Sequence, residues 1–181
     1  MNDPLAFQTA DERRAELLAD VVAAAWGTSG EYIDADRFLT KPTVLRRLAS
    51  ILAGRVPPDV DRLIGREPHS LVLGTALALE TGLPLVVARA MDGGRELDFF
   101  GELHAGERVL VVEGVTGTGA SAEQAVRLAL ARGATVAGVL AAVDRGAGAA
   151  GRLTRLAVTL DTLYADAELR AAARRERAHG R

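Results

Sequence analysis

The chain has 181 residues, with 22 basic and 24 acidic side chains and a formal net charge of −2. This near balance excludes a protein built mainly to bind a polyanion such as duplex DNA, because phosphate neutralisation needs a clustered basic excess. Hydrophobic residues make up 49% of the chain, which excludes a mostly disordered protein, and the absence of cysteine excludes disulfides, thiolate nucleophiles and Cys-ligated zinc. Lys41 is the only lysine.

The length predicts a single domain. Association with a membrane is not expected. The N-terminal residues 1–4 lack a basic region followed by an apolar stretch, so no signal peptide is predicted. Charged residues interrupt every apolar segment before it reaches 18 residues, so no transmembrane helix is predicted. We therefore expect a cytoplasmic protein.

The residue pattern of the N-terminal third predicts mainly helices. Thr9 and Glu12 form a capping-box pattern, which predicts a helix that ends at about Trp26. A short strand-like piece is predicted over residues 30–34. A second helix is predicted to begin at Thr40 as the N-cap residue.

The rest of the chain alternates between strands and helices, since apolar runs bounded by glycine or proline alternate with helical patterns. An extended piece is predicted over residues 97–100, and a charged helix is predicted from about Ala165 to the C-terminus. The predicted strands are 61–65, 85–88, 97–100, 108–112, 135–143 and 155–160, and the predicted helices are 70–81 and 120–132.

This alternation predicts an α/β fold, a parallel sheet with helices on both faces. We divide it into an N-terminal region of about 1–58, a core of about 59–165 and a C-terminal helix or tail over 166–181. Ligands of such sheets bind beyond the carboxyl ends of the strands. The loops to search follow Ile64, Ala88, Val112 and Val143.

The most informative segment is Val109–Ser121. An apolar strand delivers Glu113, a Thr- and Gly-rich loop follows, and a helix begins at once. Converging backbone N–H groups, hydroxyl groups and a helix N-terminus suit a phosphate monoester. The alternative is an ordinary βα turn built from small residues. The candidate phosphate ligands are Thr116, Gly117, Thr118, Gly119, Ala120 and Ser121.

Val109–Ser121 resembles the phosphoribosyl-diphosphate (PRPP) motif of type I phosphoribosyltransferases. Three more segments match in order and point to the orotate branch of that family: 32–42, 63–89 and 134–145. Together they cover roughly residues 15–165. The resemblance implies a Rossmann-like parallel sheet with a small N-terminal hood.

The resemblance also implies roles for individual residues. The loop would hold the 5′-phosphate of PRPP, Glu113 would contact the ribose, and Arg95 would stand in the mobile loop as the catalytic cation. Arg145 would meet the base, and Mg²⁺ would bridge the diphosphate without a protein metal site. The residues implied on the diphosphate side are Glu67, His69, Ser70 and Arg89.

Several positions depart from the family pattern. Gly114 replaces the second acidic residue of the motif. Pro68, His69 and Ser70 stand where the family has a Gly-Gly pair. The lysines of the family's mobile loop have no counterpart, because Arg89 is followed by Ala90 and that loop's only cation is Arg95.

Two functions follow from these observations. The first is transfer of ribose 5-phosphate from PRPP to a pyrimidine-type base such as orotate, or to a different nitrogen nucleophile. The second is a catalytically inactive protein of the same fold that binds a nucleotide or sugar phosphate for regulation. The expected partners are PRPP or a 5′-mononucleotide, a small base, and a second copy of the chain in a homodimer. Phe99–Phe100 is either a hairpin contact or, as the family's dimers imply, part of the dimer surface. Nucleic acid is not expected.

Overall fold

The computed structural model describes residues 9–26, 33–91 and 96–179, and it has the alternating α/β order that the sequence predicts. The helices are α1 (Ala10–Ala25), α2 (Ala35–Leu39), α3 (Pro42–Ala53), α4 (His69–Thr81), α5 (Ala120–Ala131), α6 (Ala149–Thr154) and α7 (Asp166–His179). The strands are β1 (Arg62–Arg66), β2 (Leu85–Met91), β3 (Glu96–Phe100), β4 (Arg108–Thr116), β5 (Thr135–Asp144) and β6 (Leu160–Ala165). Within these ranges, no helix is long and apolar enough to cross a membrane.

Helix α1 begins with the predicted capping box. The Glu12 backbone N–H donates to Thr9 Oγ1 at 3.2 Å, and the Thr9 N–H donates to the Glu12 carboxylate at 2.7 Å. Two N–H groups that the first helical turn leaves without helical partners are thereby satisfied. The helix ends at Ala25, with Trp26 as its C-cap residue.

The predicted start of the second long helix was wrong in one detail. Thr40 does not cap α3 but ends the short helix α2, where its hydroxyl donates to the Asp36 carbonyl. Lys41 precedes α3 without a side-chain cap, and Pro42 occupies the first turn. Helix α2 was not predicted, because five residues are too few to show a helical period.

Two boundaries near the sheet also differ from the prediction. The last strand covers 160–165 and not 155–160, because residues 149–154 form helix α6 and the chain turns after it. Strand β4 continues to Thr116, so Glu113 lies inside a strand and not in the following loop. The predicted piece over 30–34 falls mostly outside the described residues, although Ile33 pairs with Trp26 in an isolated bridge.

The six strands form one sheet in the order β3-β2-β1-β4-β5-β6. All neighbouring pairs are parallel except β2 with β3, which is antiparallel. Strands β1 and β4 therefore lie side by side at the centre of the sheet, with Gly65 level with Val112.

Helices cover both faces of the sheet, as the apolar strands predict. One core cluster joins the sheet to α1, α2, α3, α4 and α7, with members such as Leu17, Phe38 and Leu73. The second cluster joins the opposite face to α5 and α6, through residues such as Val126 and Leu153. Helix α4, which follows β1, and helix α5, which follows β4, thus lie on opposite faces.

The starts of β1 and β4 are joined by an ion pair. Arg62 donates two hydrogen bonds to the Glu107 carboxylate, at 2.9 and 2.7 Å, and both side chains are largely buried. The Arg62 guanidinium lowers the pKa of Glu107 to about 2, and the His104 backbone N–H, which also donates to this carboxylate, contributes to the shift.

We predict that Glu107→Gln destabilises the protein at pH 7 by about 1–3 kcal/mol, the loss expected for hydrogen bonds to a charged group. A lowered folded-state pKa gives stability that is present above the ordinary carboxyl pKa and is lost as the pH falls toward 2. The difference in unfolding free energy between wild type and variant should therefore shrink from pH 5 to pH 2. Urea titrations across this range measure it, and a difference independent of pH would contradict the prediction.

Candidate active site

The helices that follow β1 and β4 pack on opposite faces of the sheet, and this arrangement creates a crevice at the carboxyl ends of these two strands. In parallel α/β sheets, ligands bind at such a point, because the two following loops leave in opposite directions. The turn after β1 leads into α4, and the loop after β4 leads into α5. Both segments carry residues that the sequence singles out.

The loop after β4 places the predicted phosphate ligands together at the N-terminus of α5. Gly119 is the N-cap residue with φ +75°, and a Cβ atom there would lie only 2.9 Å from the Cα atom of Ala149. Only glycine satisfies both the left-handed conformation and this close approach. Thr118 Oγ1 accepts a weak hydrogen bond of 3.4 Å from the Ala120 N–H. Thr116 is buried, and Thr118 is exposed.

Arg152 from α6 connects this loop to the first turn of α5. Its Nε donates to the Thr118 carbonyl at 2.8 Å, and its Nη1 donates to the Glu123 carboxylate at 2.7 Å. Arg127 binds the same carboxylate from within α5. The two guanidinium groups lower the pKa of Glu123, and they offset its negative charge next to the loop.

Glu113 lies in β4 at the centre of the crevice and is only 4% exposed. The Ser70 hydroxyl, from the first turn of α4, donates to Glu113 Oε2 at 2.6 Å. The same Ser70 oxygen accepts the Gly114 N–H at 3.3 Å. The structure therefore joins Ser70 and Glu113, which the sequence assigned to separate parts of the site.

Close packing of α4 on β1 makes this contact geometrically available. A Cβ atom at Gly65 would lie 3.3 Å from the Ser70 carbonyl oxygen, and one at Gly74 would lie 3.4 Å from the Gly65 Cα. The absence of both side chains lets the helix N-terminus approach the strand. The turn between them contains Glu67 and Pro68, which are joined by a cis peptide bond.

Glu67 and Arg89 form a two-bonded ion pair next to this turn, at 2.8 and 2.7 Å. The pair lowers the pKa of Glu67 through its hydrogen bonds to the guanidinium. Arg89 also stacks on the Phe100 ring, 4.5 Å from its centroid. Two of the four residues implied on the diphosphate side thus bind each other.

Of the remaining predicted site residues, the structure shows the contacts of Arg145 but does not describe the side chains of His69 and Arg95. Arg145 follows β5, its backbone N–H donates to the Thr116 carbonyl at 2.9 Å, and its guanidinium donates to the Ile33 carbonyl. His69 begins α4, but its side chain lies outside the described part of the structure, and so does all of Arg95.

Comparison with known proteins decides the family. The chain is 35% identical over 148 residues to orotate phosphoribosyltransferase from Thermococcus gammatolerans, an alignment covering 79% of this chain and 78% of the relative. It is 34% identical over 153 residues to orotate phosphoribosyltransferase from Methanosarcina mazei, with 83% and 82% covered. The chain belongs to the orotate phosphoribosyltransferase family.

The fold comparison agrees with this assignment. Mycobacterium tuberculosis orotate phosphoribosyltransferase, solved in complex with PRPP, superposes with a TM-score of 0.74 at 26% identity, covering 87% of this chain and 91% of that one. No family model matches the chain. The Rossmann-like phosphoribosyltransferase fold that the sequence predicted is confirmed.

Arg66 was not predicted as a site residue from the sequence. Its guanidinium reaches α5, where Nη1 donates to Ser121 Oγ at 2.5 Å. Strand alternation was the signal that could have found it, because Arg66 lies on the same face of β1 as Ile64, which packs in the α5 cluster. Arg152 was also missed, because the sequence gave no indication of α6.

We predict that Arg152→Ala loosens the phosphate-loop region, because the Thr118 carbonyl and Glu123 each lose a donor. Amide hydrogen exchange over residues 117–123 should accelerate by about 10-fold, the effect of losing roughly one net hydrogen bond. Arg127→Ala is the matched control, since Arg127 binds the same carboxylate without touching the loop carbonyl. Equal acceleration in both variants would show that Arg152 acts only through Glu123.

Proposed function

We propose that the protein transfers the 5-phosphoribosyl group of PRPP to orotate and releases diphosphate. The observation that carries this proposal is the phosphate loop at the N-terminus of α5, which opens on the crevice where Glu113 and Ser70 meet. Family membership supports the substrate class, since the solved relative from Mycobacterium tuberculosis binds PRPP.

The 5′-phosphate binds at residues Thr116–Ser121. The backbone N–H groups after Gly119 have no helical acceptors in the first turn of α5, so they are available to phosphate oxygens. The Thr118 and Ser121 hydroxyls add donors, and the helix dipole favours the dianion. Glycine at 119 keeps the loop close enough to α6 for Arg152 to brace it.

Glu113 acts on the ribose. A base nitrogen forms a bond to C1′ and releases its proton to solvent, while the bond from C1′ to the diphosphate oxygen breaks and the diphosphate leaves with the electron pair. Positive charge develops on the ribose ring as this happens, and a buried carboxylate stabilises that charge more strongly than it would in water. The Ser70 hydroxyl orients the carboxylate.

The diphosphate side is formed by Glu67, His69, Ser70 and Arg89. Arg89 is the cation available there, with its side chain 47% exposed in the pair with Glu67. We propose that Arg89 turns from Glu67 toward the diphosphate, and that Arg95 approaches from the following segment. Arg145, beyond the end of β5, recognises the base.

The described residues fit a magnesium ion that arrives on the substrate and not one held by a protein cage. Within 9–26, 33–91 and 96–179, no group of three or more potential ligands from His, Cys, Asp or Glu comes together. Mg²⁺ commonly binds substrate phosphates and water with only one or two carboxylates, and Glu113 would be the residue to supply one. When bound, the ion neutralises the charge of the leaving diphosphate.

A second function, nucleotide binding without turnover, is favoured by two features. Glu67 and Arg89 satisfy each other in a two-bonded pair, which diphosphate would have to break. Gly114 also leaves the motif with one carboxylate in place of two. Under this alternative, the loop binds a 5′-mononucleotide and the diphosphate side is inactive.

Incubation of the pure protein with PRPP, Mg²⁺ and orotate separates the two functions, with diphosphate release as the measurement. We predict turnover, and a loss of 10²- to 10³-fold in kcat for Glu113→Gln, as expected when a charge-stabilising group is removed. Glu102→Gln, at an exposed position, is the control and should keep full activity. No turnover together with tight binding of a 5′-mononucleotide would establish the second function.

We also propose a homodimer formed through the edge strand β3. Phe99 packs in the core of its own subunit, but Phe100 is 40% exposed on this edge, where it carries the stacked Arg89. Exposed aromatic side chains are enriched at interfaces. Sedimentation analysis should give a dimer, and Phe100→Ser should shift it toward monomer; a wild-type monomer at micromolar concentration would refute the proposal.

A further inference from the structure

Arg66, the last residue of β1, projects across the crevice to the N-terminus of α5. Its Nη1 donates to Ser121 Oγ at 2.5 Å, and its Nη2 lies 3.4 Å from Gln124 Oε1. Its Nε is shielded from solvent and has no hydrogen-bond acceptor among the residues that the structure describes. Each Nη group carries two N–H donors, so the guanidinium keeps donor capacity at the place where the phosphate loop meets the helix.

Among the described residues, Arg66 has no acidic partner, in contrast to Arg62 and Arg89. Arg62 binds Glu107, and Arg89 binds Glu67. Across residues 9–26, 33–91 and 96–179, no carboxylate lies within ion-pair distance of Arg66. Its positive charge is instead placed against the positive end of the α5 dipole, an arrangement that favours an anion between them.

The hydrogen bond to Ser121 has a directional consequence. Because Ser121 Oγ accepts from Arg66, its own O–H points elsewhere and is available to donate. Arg66, Ser121 and the N–H groups of α5 then form one set of donors. Such a set matches the three acceptor oxygens of a phosphate monoester, and the planar guanidinium can bind two of them.

We propose that Arg66 is a direct ligand of the 5′-phosphate group, acting together with Ser121. The inference rests on the proposed function for the identity of the substrate, but the donor set itself requires only a phosphate monoester. Arg66 supplies a fixed cation from a central strand in a chain that has one lysine. The phosphate charge is thereby matched by a residue outside the loop.

Binding of ribose 5-phosphate and of diphosphate to three variants tests the proposal by calorimetry. Arg66→Met removes the cation, and Gln124→Glu places a competing carboxylate at its Nη2. Arg132→Gln is the control, because it makes the same change of −1 in net charge at the opposite end of α5, where the side chain of Arg132 is 47% exposed and pairs with Asp98. We expect the first two variants to bind ribose 5-phosphate about 10- to 100-fold more weakly and diphosphate within twofold of wild type.

Arg66→Met together with Ser121→Ala sharpens the test. If both side chains bind the same phosphate, the double variant should lose less affinity for ribose 5-phosphate than the product of the two single losses. Independent, multiplicative losses would overturn the shared site. If Arg66→Met does not fold, Gln124→Glu decides, because its side chain is exposed and its substitution leaves Arg66 in place.

The outcomes separate this inference from the proposed function. Unchanged ribose 5-phosphate affinity in Arg66→Met and Gln124→Glu overturns the role of Arg66, even if the wild type releases diphosphate from PRPP. Weakening confined to diphosphate also overturns it, because Arg66 would then serve the leaving group. Arg66-dependent binding of ribose 5-phosphate supports the inference even in a protein that does not turn over PRPP.

Discussion

The contacts of the site depend on one constraint: β1 and β4 are hydrogen-bonded neighbours whose following helices pack on opposite faces of the sheet. The turn after β1 and the loop after β4 must therefore separate, and a crevice opens between them. Hydrogen bonds cross it from Ser70 to Glu113 and from Arg66 to Ser121, and longer ones run from Gly114 to Ser70 and from Arg66 to Gln124. Each joins a residue from the β1 side to one from the β4 side.

Small residues set how closely these parts approach. Gly65 and Gly74 let α4 lie against β1, which brings Ser70 within reach of Glu113. Gly119 does the same between the phosphate loop and α6. Arginines then fix the arrangement that the glycines allow, because a guanidinium can donate to two acceptors at once. Arg152 uses this property to hold a loop carbonyl and a helix carboxylate together.

Much of the fold could be predicted, because its determinants are local in sequence. The apolar run before Glu113 predicted the central strand, and the capping box at Thr9 predicted the start of α1 correctly. The short helices α2 and α6 were missed, since their few residues show no period. Helix α6 also displaced the predicted last strand.

The site was predictable only in part, for a different physical reason. Which residues form the phosphate loop follows from neighbouring positions in the sequence. Which side chains meet across the crevice depends on sheet order, and Arg66 and Ser121 are 55 residues apart. The predicted roles of Glu113, Ser70 and Arg145 remain predictions, but their positions around one crevice agree with the family resemblance.

The close approach of Gly119 to Ala149 restricts a residue whose side chain is a single methyl group. Ala149 is buried at the start of α6, and its Cα and Cβ atoms face the space where a Gly119 side chain would stand. A larger residue at 149 would press on the phosphate loop from behind. In this chain, the geometry that requires glycine at 119 therefore also limits residue 149 to a small side chain, so a substitution at either position acts on the other.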